Sequence, residues 1–224
     1  MFEVEIKSLL GSKERAEALK RRLSELFPAG TMLPLHKQLN HYFSEPSDLG
    51  SVVRAISPFL SPKKSKQLAE LVENIRGNVS LRTREADGRV LFILKASIGD
   101  DSSANGVLRI EFEEPVELSL QELDAKLLDA GLSYQAKWSR EREEYVAGDT
   151  HITIDKNAGY GYLAEFEKMV ENQSDAESAK HALLALMKEA DAEELPQDRL
   201  ERMFAHYNTH WEEYYGTDKV FLVE

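Results

Sequence analysis

The residues able to do chemistry in this chain recur as pairs two positions apart. Glu3-Val4-Glu5-Ile6-Lys7 opens it, Arg109-Ile110-Glu111-Phe112-Glu113 lies near its middle, and Glu165-Phe166-Glu167 follows later. Side chains two apart on a strand share a face. Each segment therefore presents Glu-x-Glu as a fixed pair, with apolar residues on the opposite face. Paired carboxylates in a chain without cysteine or clustered histidine are hard oxygen donors, suited to Mg2+ or Mn2+. Carboxylates gathered on one surface repel one another unless positive charge lies among them.

Sorting every strand-like segment by parity supplies that charge. Lys7, Arg82, Arg84, Lys95, Arg109, Arg140 and Arg142 fall on the glutamate face with Thr153 and Asp155, while Val4, Ile6, Leu81, Phe92, Leu94, Ile110, Phe112, Ile152, Ile154 and Phe166 fall on the other. An open sheet showing its charges to water would satisfy this pattern, and so would a closed barrel with the charges in its lumen. A solvated face mixes serine, threonine, lysine and glutamine, whereas this one is almost wholly glutamate with arginine or lysine. The arginine fork also suits bidentate contact with phosphate oxygens, and eight strands suffice for closure. These points favour the barrel. A lumen of mixed charge is costly without a ligand. Its cations ask for a compact, multiply charged anion and its glutamates for a hard cation, which together describe a metal-bound triphosphate. No Walker loop is present, and Gly159-Tyr160-Gly161 reads as a hairpin turn.

The elements that must hold these residues follow from periodicity. Strands are expected near residues 2–7, 38–44, 78–85, 89–96, 107–114, 136–146, 150–156 and 162–170. Turn chemistry joins three pairs as hairpins, at Asp87-Gly88, at Ala147-Gly148-Asp149 and at Asn157-Ala158-Gly159 with Gly161. Apolar stripes predict helices over 12–27 and 62–76. Ser119 with Glu122, and Ser174 with Glu177, have capping-box spacing for two more. A further helical stretch carries Leu200, Met203, Phe204 and Tyr207, and an aromatic tail adds Trp211, Tyr214 and Tyr215. The fold class expected is α+β: an eight-stranded antiparallel closed barrel forming a tunnel, with helices packed outside. One domain of 224 residues is expected, with an insertion at 45–77 and a C-terminal helical segment at 174–216.

Composition bounds the partners. A formal charge of −12 argues against coating nucleic acid, so local concentration of basic residues matters more than their total. No apolar run reaches the ~20 residues of a membrane-spanning helix, and the N-terminus shows no leader-like apolar stretch. A cytoplasmic protein with a small-molecule triphosphate substrate, no nucleic-acid or membrane partner, and a monomeric or homodimeric state is expected.

In order along the chain, Glu3-x-Glu5-x-Lys7, Asn40-His41-Tyr42-Phe43, Leu81-Arg82-Thr83-Arg84, Ile93-Leu94-Lys95, Arg109-x-Glu111-x-Glu113, Arg140-Glu141-Arg142 before Tyr145, and Asp155 leading to Glu165-x-Glu167 resemble the motifs of the CYTH superfamily. These are the triphosphate tunnel metalloenzymes, which include class IV adenylyl cyclases, thiamine triphosphatases and inorganic triphosphatases. Each motif alone is weak; together, in order over residues 3–167, they are specific. The chain departs from the family at Arg140, often lysine there, and at Ser44, often aspartate.

The resemblance implies a tunnel binding triphosphate with a divalent metal. It makes Glu3, Glu5, Glu111, Glu113, Glu165 and Glu167 the acidic set from which metal ligands are drawn; the parity of Asp155 admits it as a further ligand or as a structural acceptor. Lys7, Arg82, Arg84, Lys95, Arg109, Arg140 and Arg142 become the phosphate clamps. Hydrolysis of the terminal phosphate, with Glu5 and Lys7 at the chemistry, is the first expectation. Cyclisation of ATP to cyclic AMP and pyrophosphate needs a base and sugar pocket that the sequence does not reveal, and a non-catalytic polyphosphate or nucleotide binder would not need the full glutamate set. The parity of Lys137 places it outside the lumen. The histidines, having no ligand spacing, are expected at the surface or in packing, and the aromatic tail of Trp211, Tyr214 and Tyr215 is expected in core or helix packing, the alternative being closure of one tunnel mouth.

Overall fold

A computed structural model describes residues 2–44, 46, 48–75, 79–97 and 109–222, without the side chains of Pro34, Ser97 and Arg109. Eight strands run in chain order as β1 (Phe2–Gly11), β2 (Thr31–Phe43), β3 (Val79–Ala86), β4 (Arg89–Ser97), β5 (Arg109–Val116), β6 (Tyr134–Ala147), β7 (Thr150–Asn157) and β8 (Gly161–Val170). They close into an antiparallel barrel in the order β1-β5-β4-β3-β2-β6-β7-β8. The β1–β5 seam carries one registered pair, Glu3 with Arg109, whereas β1 runs beside β8 along nearly its whole length. Lys95 on β4 reaches across this seam to Glu3, 3.3 Å away.

The three expected hairpins form. At the β3–β4 turn both Asp87 and Gly88 have positive φ, 50° and 73°, the geometry that brings two strands back with matching twist. β2 begins at Thr31 rather than near residue 38. Its first residues pair with the far end of β6, and the register shifts between Leu33 and His36, around Pro34. A proline in a bulged edge region breaks the alternation on which a strand is read.

Helices α1 (Lys13–Leu26), α2 (Leu49–Ile56), α3 (Pro62–Asn74), α4 (Leu120–Asp129), α5 (Ala176–Glu189) and α6 (Gln197–Tyr214) surround the barrel. The Ser119–Glu122 capping box is complete in both directions. The box expected from Ser174 does not form. A short 3-10 turn over Gln173–Asp175 shifts the start of α5 to Ala176, and no side chain caps it.

The strands turn their apolar face outward. Val4, Ile6, Ile152, Ile154 and Phe166 pack under α1 and α5, against Leu19, Leu23, Leu183 and Met187. Leu81, Phe92, Leu94 and Phe112 pack under α2, α3 and α4, against Val52, Ile56, Leu68 and Leu123. Helix-covered strands of this kind leave the charged face for the lumen. At one mouth the inward positions lose their charge: Leu9, Ala136, Trp138 and Leu163 pack with Leu200, Met203 and Tyr207 of α6. Gly159 permits this contact, because a Cβ there would stand 2.5 Å from the Tyr207 ring. No helix among the described residues is long and apolar enough to cross a membrane.

A buried polar knot ties these layers together. Asp124 of α4 accepts from His41 (2.6 Å), Thr83 (2.7 Å) and Tyr134 (2.7 Å), which lie on β2, β3 and β6. The other ring nitrogen of His41 shares a hydrogen bond with Tyr215 just past α6 (2.8 Å). Burial raises the Asp124 pKa, but these donors outweigh it and hold the carboxyl below its ordinary range. An aspartate with a depressed folded pKa contributes stability above its unfolded pKa and loses it as pH falls through the folded value. Asp124→Ala should therefore cost roughly 3 kcal/mol in chemical denaturation at neutral pH, by leaving buried donors unpaired. The gap from wild type should hold down to about pH 4 and narrow below it; a gap that widened in acid would contradict this.

Candidate active site

Alternation on the strands gathers Glu3, Glu5 and Lys7 (β1), Arg82 and Arg84 (β3), Lys95 (β4), Glu111 and Glu113 (β5), Arg140 and Arg142 (β6), and Glu165 and Glu167 (β8) on one cavity of about 1170 Å³. Arg109 occupies the register position opposite Glu3, and its side chain lies outside the described part.

Two tiers organise the lumen. In the acidic tier, Lys7 donates to Glu5 and lies 3.8 Å from Glu165, while Lys95 lies 3.3 Å from both Glu3 and Glu111. Glu3, Glu5 and Lys7 are each nearly solvent-free, at 5%, 6% and 5% exposure. In the guanidinium tier, Arg82 donates to the Tyr42 hydroxyl (2.8 Å) and Arg84 to Asn40 (2.9 Å). Arg140 donates to Gln38 (2.9 Å) and Asp155 (2.8 Å). Arg142 takes both oxygens of Asp155, at 2.7 and 2.6 Å, and reaches Glu165 at 2.9 Å. Asp155 is fully buried with both oxygens engaged by guanidiniums, the part of a structural acceptor that aims two arginines.

The electrostatics of the two tiers differ. Burial pushes Glu3 up to about 8; Lys95 opposes this, and the Glu5 and Glu167 carboxylates add to it. Burial likewise raises Glu167. Glu165, also raised by burial, is brought well below its usual range by Lys7 and Arg142. Among the cations, burial and the neighbouring Arg82 and Arg140 push Arg84 down. Burial raises Tyr42, yet Arg82 and Arg140 outweigh it and lower the phenol. Glu3, Glu5 and Glu167 thus cluster at one end of the lumen around few ammonium groups, whereas at the other end Arg82 and Arg84 stand 3.5 and 3.3 Å from Glu111 and Glu113, and Arg140 and Arg142 hold Asp155. The first end lacks positive charge, and the second presents four guanidiniums to the cavity.

Among the described residues no three acidic or histidine side chains stand close enough to share a metal as they are. The donor set nevertheless fits a hard divalent ion. Glu3, Glu5 and Glu167 are oxygen donors on adjacent strands, and burial together with the neighbouring carboxylates is what raises Glu3.

Several lining residues were not read from the sequence. His151 faces the cavity and pairs with Glu144 at 3.0 Å, which corrects the placement of every histidine at the surface or in packing. The signal was present, since His151 shares parity with Thr153 and Asp155. His41, by contrast, is the packing residue expected. Gln38, Asn40 and Tyr42 alternate on β2 as partners of the arginines. Trp138, Tyr160 and Phe204 form an aromatic end to the cavity. Lys137 lies outside, its ammonium 4.0 Å from the Tyr134 ring centre, and Tyr214 and Trp211 pack around α6.

The CYTH domain profile matches residues 74–199, more than half of the chain, and the protein belongs to the CYTH domain family. Its barrel is similar to the PH1012 protein from Pyrococcus horikoshii OT3, with 17% identity and a TM-score of 0.60 over 88% of this chain and 92% of that one. It is also similar to a candidate adenylate cyclase from Vibrio parahaemolyticus, with 17% identity and a TM-score of 0.59 over 90% and 98%. HpAC1 from Hippeastrum, a candidate adenylyl cyclase with a dominant triphosphatase activity, aligns at 17% identity and a TM-score of 0.52 over 92% and 96%. At this identity the likenesses establish the fold. No curated protein sequence matches the chain.

If Asp155 serves to aim Arg140 and Arg142, Asp155→Asn should lower the melting temperature by several degrees, and tripolyphosphate should restore more of it than it adds to wild type. Phosphate oxygens would then stand in for the lost carboxylate. Equal stabilisation of both proteins, read by differential scanning fluorimetry, would remove this role.

Proposed function

We propose that this chain is a divalent-metal-dependent triphosphatase that releases the terminal phosphate of a triphosphate. The observation that carries the reading is the two-tier lumen: the guanidiniums of Arg82, Arg84, Arg140 and Arg142 and the carboxylates of Glu3, Glu5 and Glu167 line one cavity. A polyphosphate with its metal brings charge of the opposite sign to each set. HpAC1, which shares the fold, has a dominant triphosphatase activity.

Glu3, Glu5 and Glu167, with Glu111, Glu113 and Glu165 around them, would hold Mg2+ or Mn2+. When bound, that ion offsets phosphate charge and activates or positions water. Arg82, Arg84, Arg140 and Arg142 hold the phosphate oxygens, and Lys95 and Lys7 offset charge toward the terminal phosphorus. Water forms a bond to that phosphorus as the bond to the bridging oxygen breaks. The water proton passes to a lumen carboxylate, for which Glu5, already accepting from Lys7, is our choice. Orthophosphate and a diphosphate leave. Closure of ATP on its own ribose hydroxyl would use the same clamps, with the ribose oxygen attacking the α-phosphorus and pyrophosphate leaving.

Glu5→Gln should abolish metal-dependent orthophosphate release, a loss of at least a hundredfold, with an unchanged circular dichroism spectrum. Normal turnover in that variant would refute the site, and cyclic AMP with pyrophosphate from wild type would replace hydrolysis by cyclisation. The raised Glu3 adds a pH dependence. Below about 8 a metal must displace the proton that Glu3 holds, so Mg2+ or Mn2+ affinity should rise with pH up to that value and level off above it. Calorimetry in buffers of different ionisation heat should show proton release at pH 7 and little at pH 9.

A further inference from the structure

Helix α6 carries a second pair of metal-ligating side chains, away from the lumen. Phe204 and Asn208 of this helix line the cavity, and Leu200, Met203 and Tyr207 are buried against the barrel. His206 and His210 are half-buried beside these faces and line no part of the cavity. They stand four residues apart, the spacing that puts both imidazoles of a zinc-binding H-E-x-x-H helix on one side. This corrects the expectation that the histidines have no ligand spacing.

The two rings are already together. Their centres stand 4.4 Å apart, with planes 24° from parallel. His210 Nδ1 lies 2.9 Å from the His206 carbonyl oxygen. A carbonyl oxygen only accepts, so this nitrogen carries a proton and donates it. In the neutral ring the lone pair then sits on Nε2, pointing away from the backbone. A ring nitrogen donating to a carbonyl is the usual state of a metal-ligating histidine, because that bond fixes both tautomer and orientation.

The same bond coincides with a local break in the helix, where His210 has φ −122° and ψ 15°. The His206 ring makes no hydrogen bond or ion pair among the described residues and rests against Phe221, 4.5 Å between centres. Packing alone is served by any flat ring. It does not call for two imidazoles in contact, each with a nitrogen left open.

We infer that His206 and His210 bind a late first-row divalent cation, Cu2+, Ni2+ or Zn2+, through one ring nitrogen each. No third acidic or histidine side chain stands within reach among the described residues, so water completes the coordination. Imidazole donors suit these ions, whereas the lumen carboxylates suit Mg2+ or Mn2+. The two sites thus differ in ligand chemistry as well as in place, and this one stands whether or not the lumen hydrolyses a triphosphate. Phe221, beside His206, donates its N–H to the Gly159 carbonyl (2.5 Å), and Gly159 donates to that of Lys219 (2.9 Å). An ion holding both rings therefore spans the break in α6 next to the segment that straps the β7–β8 turn, and stabilises the folded state by linkage.

The test titrates the full chain with Ni2+ while Mg2+ is kept in excess to occupy the lumen. Calorimetry should show one Ni2+ site, and Ni2+ should raise the melting temperature. His206→Gln and His210→Gln, which keep the side-chain bulk, should each weaken binding about tenfold or more and abolish that rise. Glu5→Gln should bind Ni2+ as wild type does. On wild type, Cu2+ should give an electron paramagnetic resonance spectrum with two nitrogen ligands, a reading that needs no variant to fold. Absence of Ni2+ binding, unchanged affinity in both histidine variants, loss of the site in Glu5→Gln, or Cu2+ ligated by oxygen alone would each overturn it.

Discussion

The structure depends on charge compensation inside a closed barrel. Lumen carboxylates such as Glu3 and Glu5 and cations such as Lys7, Lys95 and Arg142 are all removed from bulk water, where each would be strained alone. In a low-dielectric interior an unpaired charge costs several kcal/mol. The chain answers by alternating sign around the wall. Lys7 joins Glu5 and Glu165, Lys95 joins Glu3 and Glu111, and Asp155 joins Arg140 and Arg142. Compensation is weakest in the carboxylate cluster around Glu3, where burial and the neighbouring carboxylates outweigh Lys95. That is where a cation's charge is worth most.

The rest of the fold serves this arrangement. The lumen is charged because the strands' apolar residues face outward, and that is tolerable only because helices cover them. Leu19 and Leu183 do so on one flank, and Ile56, Leu68 and Leu123 on another. Asp124 gathers bonds from three strands, and His41 carries the connection on to Tyr215 beyond α6. The element lining the uncharged end of the cavity is thereby tied to the wall bearing Tyr42 and Arg82. Membership in the CYTH family and a shared barrel at 17% identity agree with a scaffold held by such constraints rather than by sequence at large.

Much of this was legible in the residues. A period of two in strongly charged strands marks inward and outward faces directly, because a one-residue slip would bury the wrong set. The hairpin at Asp87-Gly88 and the capping box at Ser119 were legible for similar reasons, each being decided within a few residues. What escaped was non-local. Helix α2, the bulged start of β2 around Pro34, and the shifted start of α5 depend on what packs against them. Metal-ligand spacing does not reveal His151; strand parity does, because it shares the inward face of β7 with Thr153 and Asp155.

The sequence by itself determined the charged face, its sign pattern and the antiparallel strand set. These are properties of alternation along a strand, and alternation is local. Only the tertiary structure decided which opposite charges meet: that Asp155 spends both oxygens on Arg140 and Arg142, and that Lys95 crosses the seam to Glu3. Only it placed Trp138, Phe204, Asn40 and Asn157 together at one end of the lumen. Those residues lie on three strands and a helix far apart in the chain. Barrel closure and the docking of α6 set their separation, and no spacing in the sequence encodes it.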